Sequence, residues 1–256
     1  MTDLDIHDAD GALYLTLNRP DTFNALTAEM VAGVVEQLRA AARRDEVHVV
    51  ILTGSGLAFS AGADLAGEDP AQNYGAESVD AANLVIRLLI ELEKPVVCGL
   101  NGIAAGVGMS IALACDLVVA KESAGMTLAF TRIGLMPDGG ATATVAAAVG
   151  RARAMRLALL SEVIPAQEAF DAGLVSHVFA DDEYDAGLTK IVGRLAKGAP
   201  LALAATKKAV NAATLHMLDE AFERERTWQT MLLRSEDVVE GMKAFTEKRS
   251  PDFNGR

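Results

Sequence analysis

Residues 95–115 form a stretch without a single charged side chain, and it limits the folds open to the chain more than any other feature. A segment of this length and apolar character could cross a bilayer. It contains four glycines, however, and the pair Asn101-Gly102 near its middle is a turn signal. We therefore expect a buried strand, a turn and a buried helix inside a protein core, with no membrane span.

The overall charge limits the partners of the chain. The 256 residues carry a formal net charge of −12, with a pI of about 4.8. A chain this acidic is a poor non-specific ligand for nucleic acid or for an anionic membrane, so we expect neither as a partner. An anionic ligand would have to be met by a local basic patch or by the N-termini of helices.

Cysteine and histidine usage indicates neither a disulfide framework nor a metal site. Cys98 and Cys115 both lie in apolar runs, which is typical of buried thiols in a reducing compartment. The four histidines do not have the spacing of metal ligands. The first residues contain no basic region followed by an apolar one, so we expect no signal peptide and a cytoplasmic location.

Strand and helix signals alternate up to about residue 140. This order predicts an α/β fold in which helices pack on parallel strands. The predicted strands are 12–17, 47–53, 95–100 and 117–120, and the predicted helices are 27–44 with Thr27 at its cap, 79–92 and 105–114.

The character of the chain changes after residue 140, where helical periodicity predominates. One strand is predicted there, at 174–179. The predicted helices are 141–149, 151–160, 165–172, 182–195, 202–215, 218–233 and a last one that runs from a Ser235 cap to residue 245.

Six motifs carry a family resemblance, and they occur in the order in which the family has them. Together they resemble the enoyl-CoA hydratase/isomerase (crotonase) superfamily from one end of the chain to the other. The motifs are NRP (18–20) with NAL (24–26), LTGSGLAFSAGADL (52–65), KPVVCGLNGIAAGVG (94–108) with CD (115–116), GLMPDGG (134–140), AGLVSHV (172–178) and EGMKAFTEKRSP (240–251).

The resemblance implies a fold, a substrate class and an assembly. It implies a crotonase-like spiral of ββα turns in residues 1–195 and a helical C-terminal trimerisation region in residues 196–256. It further implies acyl-CoA thioester substrates, with coenzyme A as part of the substrate and no separate cofactor. A homotrimer or a hexamer is the expected assembly.

The resemblance also implies an oxyanion hole made by the backbone N–H groups of Ala63 and Val107. The physical chemistry of the two segments agrees, because Gly62 permits a close turn, while Gly106 and Gly108 flank the N-terminus of a helix. Two such donors on a thioester oxygen would stabilise an enolate. Taken without the resemblance, the glycines could equally serve tight turns alone.

Two positions that hold glutamates in the hydratases of the family are occupied by other residues here. They are Ser110, in the helix after the glycine-rich turn, and Phe130, before the GLMP segment. Adding water to a double bond requires a group that deprotonates water and a proton donor for the α-carbon. Ordinary hydratase activity is therefore not expected.

Asp138 lies where the Δ3,Δ2-enoyl-CoA isomerases of the family carry their single catalytic acid. Moving a double bond requires one base, which takes a proton from C2 and returns it to C4. We therefore interpret Asp138 as the proton shuttle of an enoyl-CoA isomerase. The alternatives are that Asp138 caps the following helix, that the chain is an atypical hydratase, or that it binds acyl-CoA without catalysis.

Contacts with coenzyme A are carried over by position from the family. Asp64 could instead brace a turn, Lys248 could be a surface residue and Phe245 could belong to the core. Phe245 and Lys248 match residues that reach the coenzyme A of a neighbouring subunit. The full set of predicted contacts is Asn24, Ala25, Ala61, Asp64, Leu65, Phe245 and Lys248.

Overall fold

Two β-sheets form the centre of the computed structural model, which describes residues 3–65 and 75–256. In the larger sheet β1 and β2 are antiparallel and all other neighbours are parallel. Its strands, in spatial order, are β1 (Leu4–Ala9), β2 (Ala12–Leu17), β3 (Val49–Gly54), β5 (Val96–Leu100), β7 (Leu117–Lys121) and β10 (His177–Phe179). The smaller sheet contains β4 (Ala58–Ser60), β6 (Ile103–Ala105), β8 (Gly125–Thr127) and β9 (Ile164–Pro165).

From β3 to β8, successive strands alternate between the two sheets, and this makes the chain wind as a spiral. Strands β3, β5 and β7 join the larger sheet, and each is followed by a short strand, β4, β6 or β8, in the smaller one. Helix α2 (Ala76–Glu91) follows the first pair and helix α3 (Val107–Ala114) follows the second. The predicted fold, a crotonase-like spiral of ββα turns, is confirmed.

Nine α-helices are found in the described residues, and two of them have side-chain caps. Thr27 Oγ1 accepts a hydrogen bond from the N–H of Met30, and Ser235 Oγ accepts one from the N–H of Val238, as predicted. Thr27 precedes α1, and Ser235 precedes α9. Apart from α2 and α3, the helices are α1 (Ala28–Ala41), α4 (Ala141–Leu160), α5 (Ala166–Ala172), α6 (Tyr184–Ala196), α7 (Pro200–Thr214), α8 (Leu218–Leu232) and α9 (Glu236–Thr246).

The predicted boundaries are wrong at a few places. The helix predicted from residue 105 begins at Val107, because Ala105 belongs to β6, and the first helix ends at Ala41 rather than at residue 44. Of the strand predicted at 174–179, only β10 (His177–Phe179) is observed. Strand β1 and the short strands of the smaller sheet were not predicted. Strand β1 is mostly exposed, and the other strands have only two or three residues, too few to show an alternating pattern. The break between 141–149 and 151–160 is confirmed, since Gly150 has a φ of 73° within α4.

The uncharged stretch at residues 95–115 runs through the protein core. It supplies β5, β6 and α3, and all five residues of β5 are buried. The added strand β6 follows the predicted turn, and α3 is only eight residues long. Among the described residues, no helix has the length and apolar composition that would be needed to cross a membrane.

The last three helices pack on the spiral at different points. Helix α8 contacts α2 and α4, and α9 contacts the 3-10 turn Ala129–Ile133. Gly241 of α9 permits the second contact, because a Cβ atom there would lie 2.6 Å from the carbonyl carbon of Ile133. Helix α7 is joined to the spiral by an ion pair of 2.9 Å between Lys207 and Asp116. The division at residues 195 and 196 stays a prediction.

Candidate active site

A mainly apolar cavity of about 420 Å³ lies where the spiral and the last two helices meet. The loop after β4, the turn before α3 and the segment from β8 to Asp138 form most of its wall. Helices α2, α8 and α9 close the rest. Arg132 and Asp138 are the charged residues among the described residues that line it.

Two loops approach each other closely on one wall of this cavity. Gly62 has a φ of 93°, and a Cβ atom on it would lie 2.8 Å from the carbonyl oxygen of Ala105 and 3.6 Å from the nitrogen of Val107. Only glycine fits both this conformation and this approach. The turn therefore brings Ala63 and Val107 to the same cavity, which both residues line.

The backbone N–H groups of Ala63 and Val107 are available to a ligand. Within the described part of the chain, neither group donates a hydrogen bond. Val107 is the first residue of α3, where N–H groups lack partners in the helix and the helix dipole favours negative charge. This wall can therefore receive an oxygen atom that carries or develops negative charge.

Asp138 lies on the same cavity with one oxygen paired and one unpaired. Its side chain is buried, and Oδ2 accepts a hydrogen bond of 2.7 Å from Nε2 of Gln229. Oδ1 is buried without a hydrogen-bond partner among the described residues. Burial raises the pKa of Asp138 from 3.8 to about 7; the bond from Gln229 acts to lower it, and the charge of Glu225 acts to raise it. Such a carboxyl group can exchange a proton near neutral pH.

The interpretation of Asp138 as a helix cap is wrong. The cap residue of α4 is Gly140, and no side chain at that position bonds the helix end. The N-terminal N–H groups of α4 are bonded instead by Glu225 of α8, whose carboxylate accepts from Gly140 at 2.6 Å and from Thr142 at 2.9 Å. The side chain of Asp138 is thus left to face the cavity.

Ser110 and Phe130 take the places of the family's glutamates in different ways. Ser110 is fully buried, and its hydroxyl group donates a hydrogen bond of 2.8 Å to the backbone carbonyl of Asp138. Phe130 lines the cavity, with its Cζ atom 4.0 Å from the point that a Cβ on Gly106 would occupy. One position supports the Asp138 segment and the other presents an apolar ring.

Glu225 and Gln229 were not identified from the sequence. Both are buried on α8, with 0% and 1% of their surface exposed. A signal was present, because they continue the helical spacing of Leu218 and Phe222 on the face that packs inward. Polar residues on a buried helical face must find partners in the interior.

The predicted coenzyme A contacts fall into two groups. Ala61, Leu65 and Phe245 line the cavity beside the two N–H groups and Asp138. The residues Asn24, Ala25, Asp64 and Lys248 do not line it. The structure therefore brings together part of the predicted set, and direct contact of any of these residues with coenzyme A stays a prediction.

Asn24 and Asp64 support the loop that carries Ala63. The buried amide of Asn24 donates to the carbonyl groups of Ser55 and Ala58, at 2.9 and 2.8 Å. Asp64 forms an ion pair of 2.6 Å with Arg19, in agreement with its alternative interpretation as a brace. These bonds hold in place the turn that exposes the N–H of Ala63.

The C-terminal residues occupy an exposed position over the cavity. Phe245 on α9 is 64% exposed and lines the cavity of its own chain, so it is not a core residue. Lys248 is exposed and has a φ of 54° just after α9. Contact of either residue with a neighbouring subunit stays a prediction. The described residues bring together no group of three or more His, Cys, Asp or Glu side chains that could hold a metal ion.

Comparisons with known proteins agree with this architecture. Residues 8–256 match the family model described as enoyl-CoA hydratase/isomerase. The chain is 38% identical to the 1,2-epoxyphenylacetyl-CoA isomerase of Escherichia coli, over 98% of this chain and 97% of the relative. It is 37% identical to the 2,3-dehydroadipyl-CoA hydratase of the same organism, over the whole length of both.

A solved structure gives the same result for the fold. The crystal structure of an enoyl-CoA hydratase from Mycobacterium avium subsp. paratuberculosis superposes with a TM-score of 0.93 at 47% identity, over 99% of each chain. The names of these relatives include both isomerase and hydratase, so they do not distinguish the two reactions. The chain belongs to the enoyl-CoA hydratase/isomerase family, whose enzymes act on acyl-CoA thioesters.

Proposed function

We propose that the chain is an enoyl-CoA isomerase, which shifts a double bond in an enoyl-CoA thioester with Asp138 as the proton shuttle. The observation that carries this proposal is the state of Asp138. It is the one carboxylate among the described residues that line the cavity, and one of its oxygens is buried without a partner. Its pKa of about 7 suits a base that must later act as an acid.

The reaction divides between the two walls of the cavity. The thioester oxygen of a 3-enoyl-CoA accepts hydrogen bonds from the N–H groups of Ala63 and Val107. The ionised carboxylate of Asp138 then removes a proton from C2, and the electron pair moves into a dienolate. The protonated Asp138 returns the same proton to C4, which yields the conjugated 2-enoyl-CoA. Each oxyanion donor is worth about 3–4 kcal/mol in comparable sites.

A second candidate, an atypical enoyl-CoA hydratase, is supported by the names of relatives. The Escherichia coli relative at 37% identity is a 2,3-dehydroadipyl-CoA hydratase. The site favours the isomerase over this candidate for two reasons. The buried hydroxyl group of Ser110 donates a hydrogen bond to the carbonyl of Asp138, and Phe130 has no proton to transfer. Hydration needs two proton-handling groups, and this cavity offers Asp138 alone among the described lining carboxylates.

The two candidates differ in the sign of one optical signal. Isomerisation of trans-3-hexenoyl-CoA creates the absorbance of the conjugated thioester, whereas hydration of crotonyl-CoA removes it. We expect the purified protein to isomerise the first substrate much faster than it hydrates the second. Fast hydration of crotonyl-CoA would overturn the isomerase. Binding of both thioesters without any turnover would support a non-catalytic acyl-CoA-binding protein instead.

The exposed apolar side chains of the last third support a homotrimer or a hexamer. Met217, Trp228 and Met231 are each about half exposed, and contiguous apolar surface favours burial against another subunit. Phe222, on the same helix as Trp228 and Met231, is instead buried within its own chain. An assembled state would also decide whether Lys248 meets the coenzyme A bound by a neighbour.

A further inference from the structure

Helix α8 lies behind Asp138 and presents two polar residues to its segment. Glu225 and Gln229 are four residues apart, which places both on the same face of the helix. Gln229 bonds Met136 and Asp138, and Glu225 bonds the beginning of α4 just beyond them. Residues of one helix thus hold both ends of the segment that carries the proposed base.

The amide of Gln229 is fixed in one orientation by the backbone of Met136. Its Oε1 accepts a hydrogen bond of 3.1 Å from the N–H of Met136, and its Nε2 donates one of 2.9 Å to the carbonyl of the same residue. The Nε2 atom must therefore be the donor toward Oδ2 of Asp138. This bond favours the ionised carboxylate, and it leaves Oδ1 as the oxygen that is free to take a proton.

Glu225 acts on Asp138 in the opposite direction. Burial raises the pKa of Glu225, and the hydrogen bonds that its carboxylate accepts from the N–H groups of Gly140 and Thr142 and from the hydroxyl of Thr142 act to lower it. A second negative charge close to Asp138 opposes ionisation of the proposed base. The two residues therefore have effects of opposite sign on one carboxyl group.

Among the described residues packed around Asp138, the elements other than α8 present no charged group that compensates it. Helix α3 presents Ser110, and α2 presents the apolar Ile86 beside Gly139. The charged residue that shares the cavity, Arg132, donates a hydrogen bond to the carbonyl of Ser161. Burial sets the raised pKa of Asp138, and within the described part of the chain α8 supplies the two side chains that adjust it.

We propose that Gln229 and Glu225 are positioning residues for the isomerase reaction, in which Gln229 supports the ionised form of Asp138 and Glu225 opposes it. This inference rests on the proposed function, because it concerns how the base of that reaction is prepared. It assigns to α8 a part in the chemistry, although neither residue is needed to contact the substrate.

The test is the dependence of kcat/KM on pH for isomerisation of trans-3-hexenoyl-CoA. In the wild type this value should rise with pH and level off above the pKa of Asp138, because the ionised form is the base. Gln229→Met should move the midpoint upward by about one pH unit and lower the rate at pH 7 about fivefold to tenfold. Glu225→Gln should move the midpoint downward.

The control is Gln167→Met on α5. The amide of Gln167 also donates to an aspartate, Asp171, at 3.0 Å, but both residues are exposed and neither lines the cavity. This variant should keep the wild-type midpoint. A purely structural role of the α8 residues would lower the plateau of the profile and leave the midpoint in place, and that result would overturn the proposal.

A further variant covers the case in which Glu225→Gln does not fold. Gln229→Glu keeps the acceptor for the N–H of Met136 but replaces the donor with an acceptor, so its midpoint should lie above that of Gln229→Met. Absence of this order would overturn the proposal. If Asp138→Asn is inactive while all α8 variants share the wild-type midpoint, the inference fails alone. If Asp138→Asn remains active, the proposed function itself fails.

Discussion

Asp116, which is partly buried, and Asp138, which is buried, join the spiral to the helical last third through different partners. Asp116 is ion-paired at 2.9 Å with Lys207 of α7, and its carboxylate also accepts the N–H of Val96 at 2.7 Å. Asp138 meets a neutral amide from α8 and, among the described residues, keeps one oxygen without a partner. Burial raises the pKa of both, but only Asp116 has a cation that opposes the effect.

The two sites show how a structural carboxylate, Asp116, differs from the proposed base, Asp138. Lys207 compensates the charge of Asp116, and the Asp116 side chain, which is 21% exposed, does not line the cavity. The carboxyl group of Asp138 faces a cavity, and the amide of Gln229 satisfies it only in part. Burial alone therefore does not make an aspartate a candidate base.

Removal of the acid function of Asp138 should have the largest effect on activity. Asp138→Asn should lower kcat for isomerisation by ~10²–10⁴-fold, because an amide is not a useful base at neutral pH. The variant should fold normally, since the side chain does not cap α4. The matched control is Asp116→Asn, which should retain kcat in the folded protein. Near wild-type activity of Asp138→Asn at an unchanged melting temperature would refute the catalytic role.

The raised pKa of Asp138 should also make the free energy of unfolding depend on pH. The pKa of Asp138 is about 7 in the folded state, above its usual value of 3.8. The unfolded chain therefore loses this proton at lower pH, and the free energy of unfolding should fall as pH rises from about 4 to about 7.

Asp138→Asn removes this titration. Its free energy of unfolding, relative to the wild type, should grow by on the order of 3 kcal/mol between pH 5 and pH 8. Urea unfolding at the two pH values measures the change. An equal difference between the two proteins at both values would show that the folded state does not raise the pKa of Asp138.

The third experiment removes the cation from the structural acid. Lys207 is 7% exposed, and Lys207→Met would leave Asp116 buried without its charged partner. We expect a loss of about 2–3 kcal/mol in the free energy of unfolding, with kcat unchanged in the protein that remains folded. Chemical denaturation and an activity assay at low temperature test the two parts. A large loss of kcat without loss of stability would assign Asp116 to the reaction as well.

Sequence patterns located the parts of this molecule that depend on local physical chemistry. Glycine placement predicted the turn at Gly62, and helical spacing with a cap residue predicted α9. The family resemblance located Ala63, Val107 and Asp138, which do line one cavity. The strands of the smaller sheet were not predicted, because these segments of two or three residues are ordered by pairing with distant segments.

The partners of the proposed base could not be predicted for the same reason. Gln229 and Asp138 are 91 residues apart in the sequence, and only the packing of α8 on α4 and α2 brings them together. The sequence shows a polar residue on a buried helical face but not the group that satisfies it. Asn24 shows the same limit, because its side chain bonds the N–H of Arg19 and the carbonyl groups of Ser55 and Ala58, which lie 31 and 34 residues further along the chain.

The hydroxyl group of Ser110 has a consequence for how reaction types can interconvert within this family. Its Cβ atom lies 3.0 Å from the point that a Cβ on Gly139 would occupy, and its hydroxyl holds the carbonyl of Asp138. A glutamate introduced at this position would lose that hydrogen bond and would place a charged side chain at a position that is fully buried here. We therefore expect the first step from this site toward one with two glutamates to lower the stability of the fold.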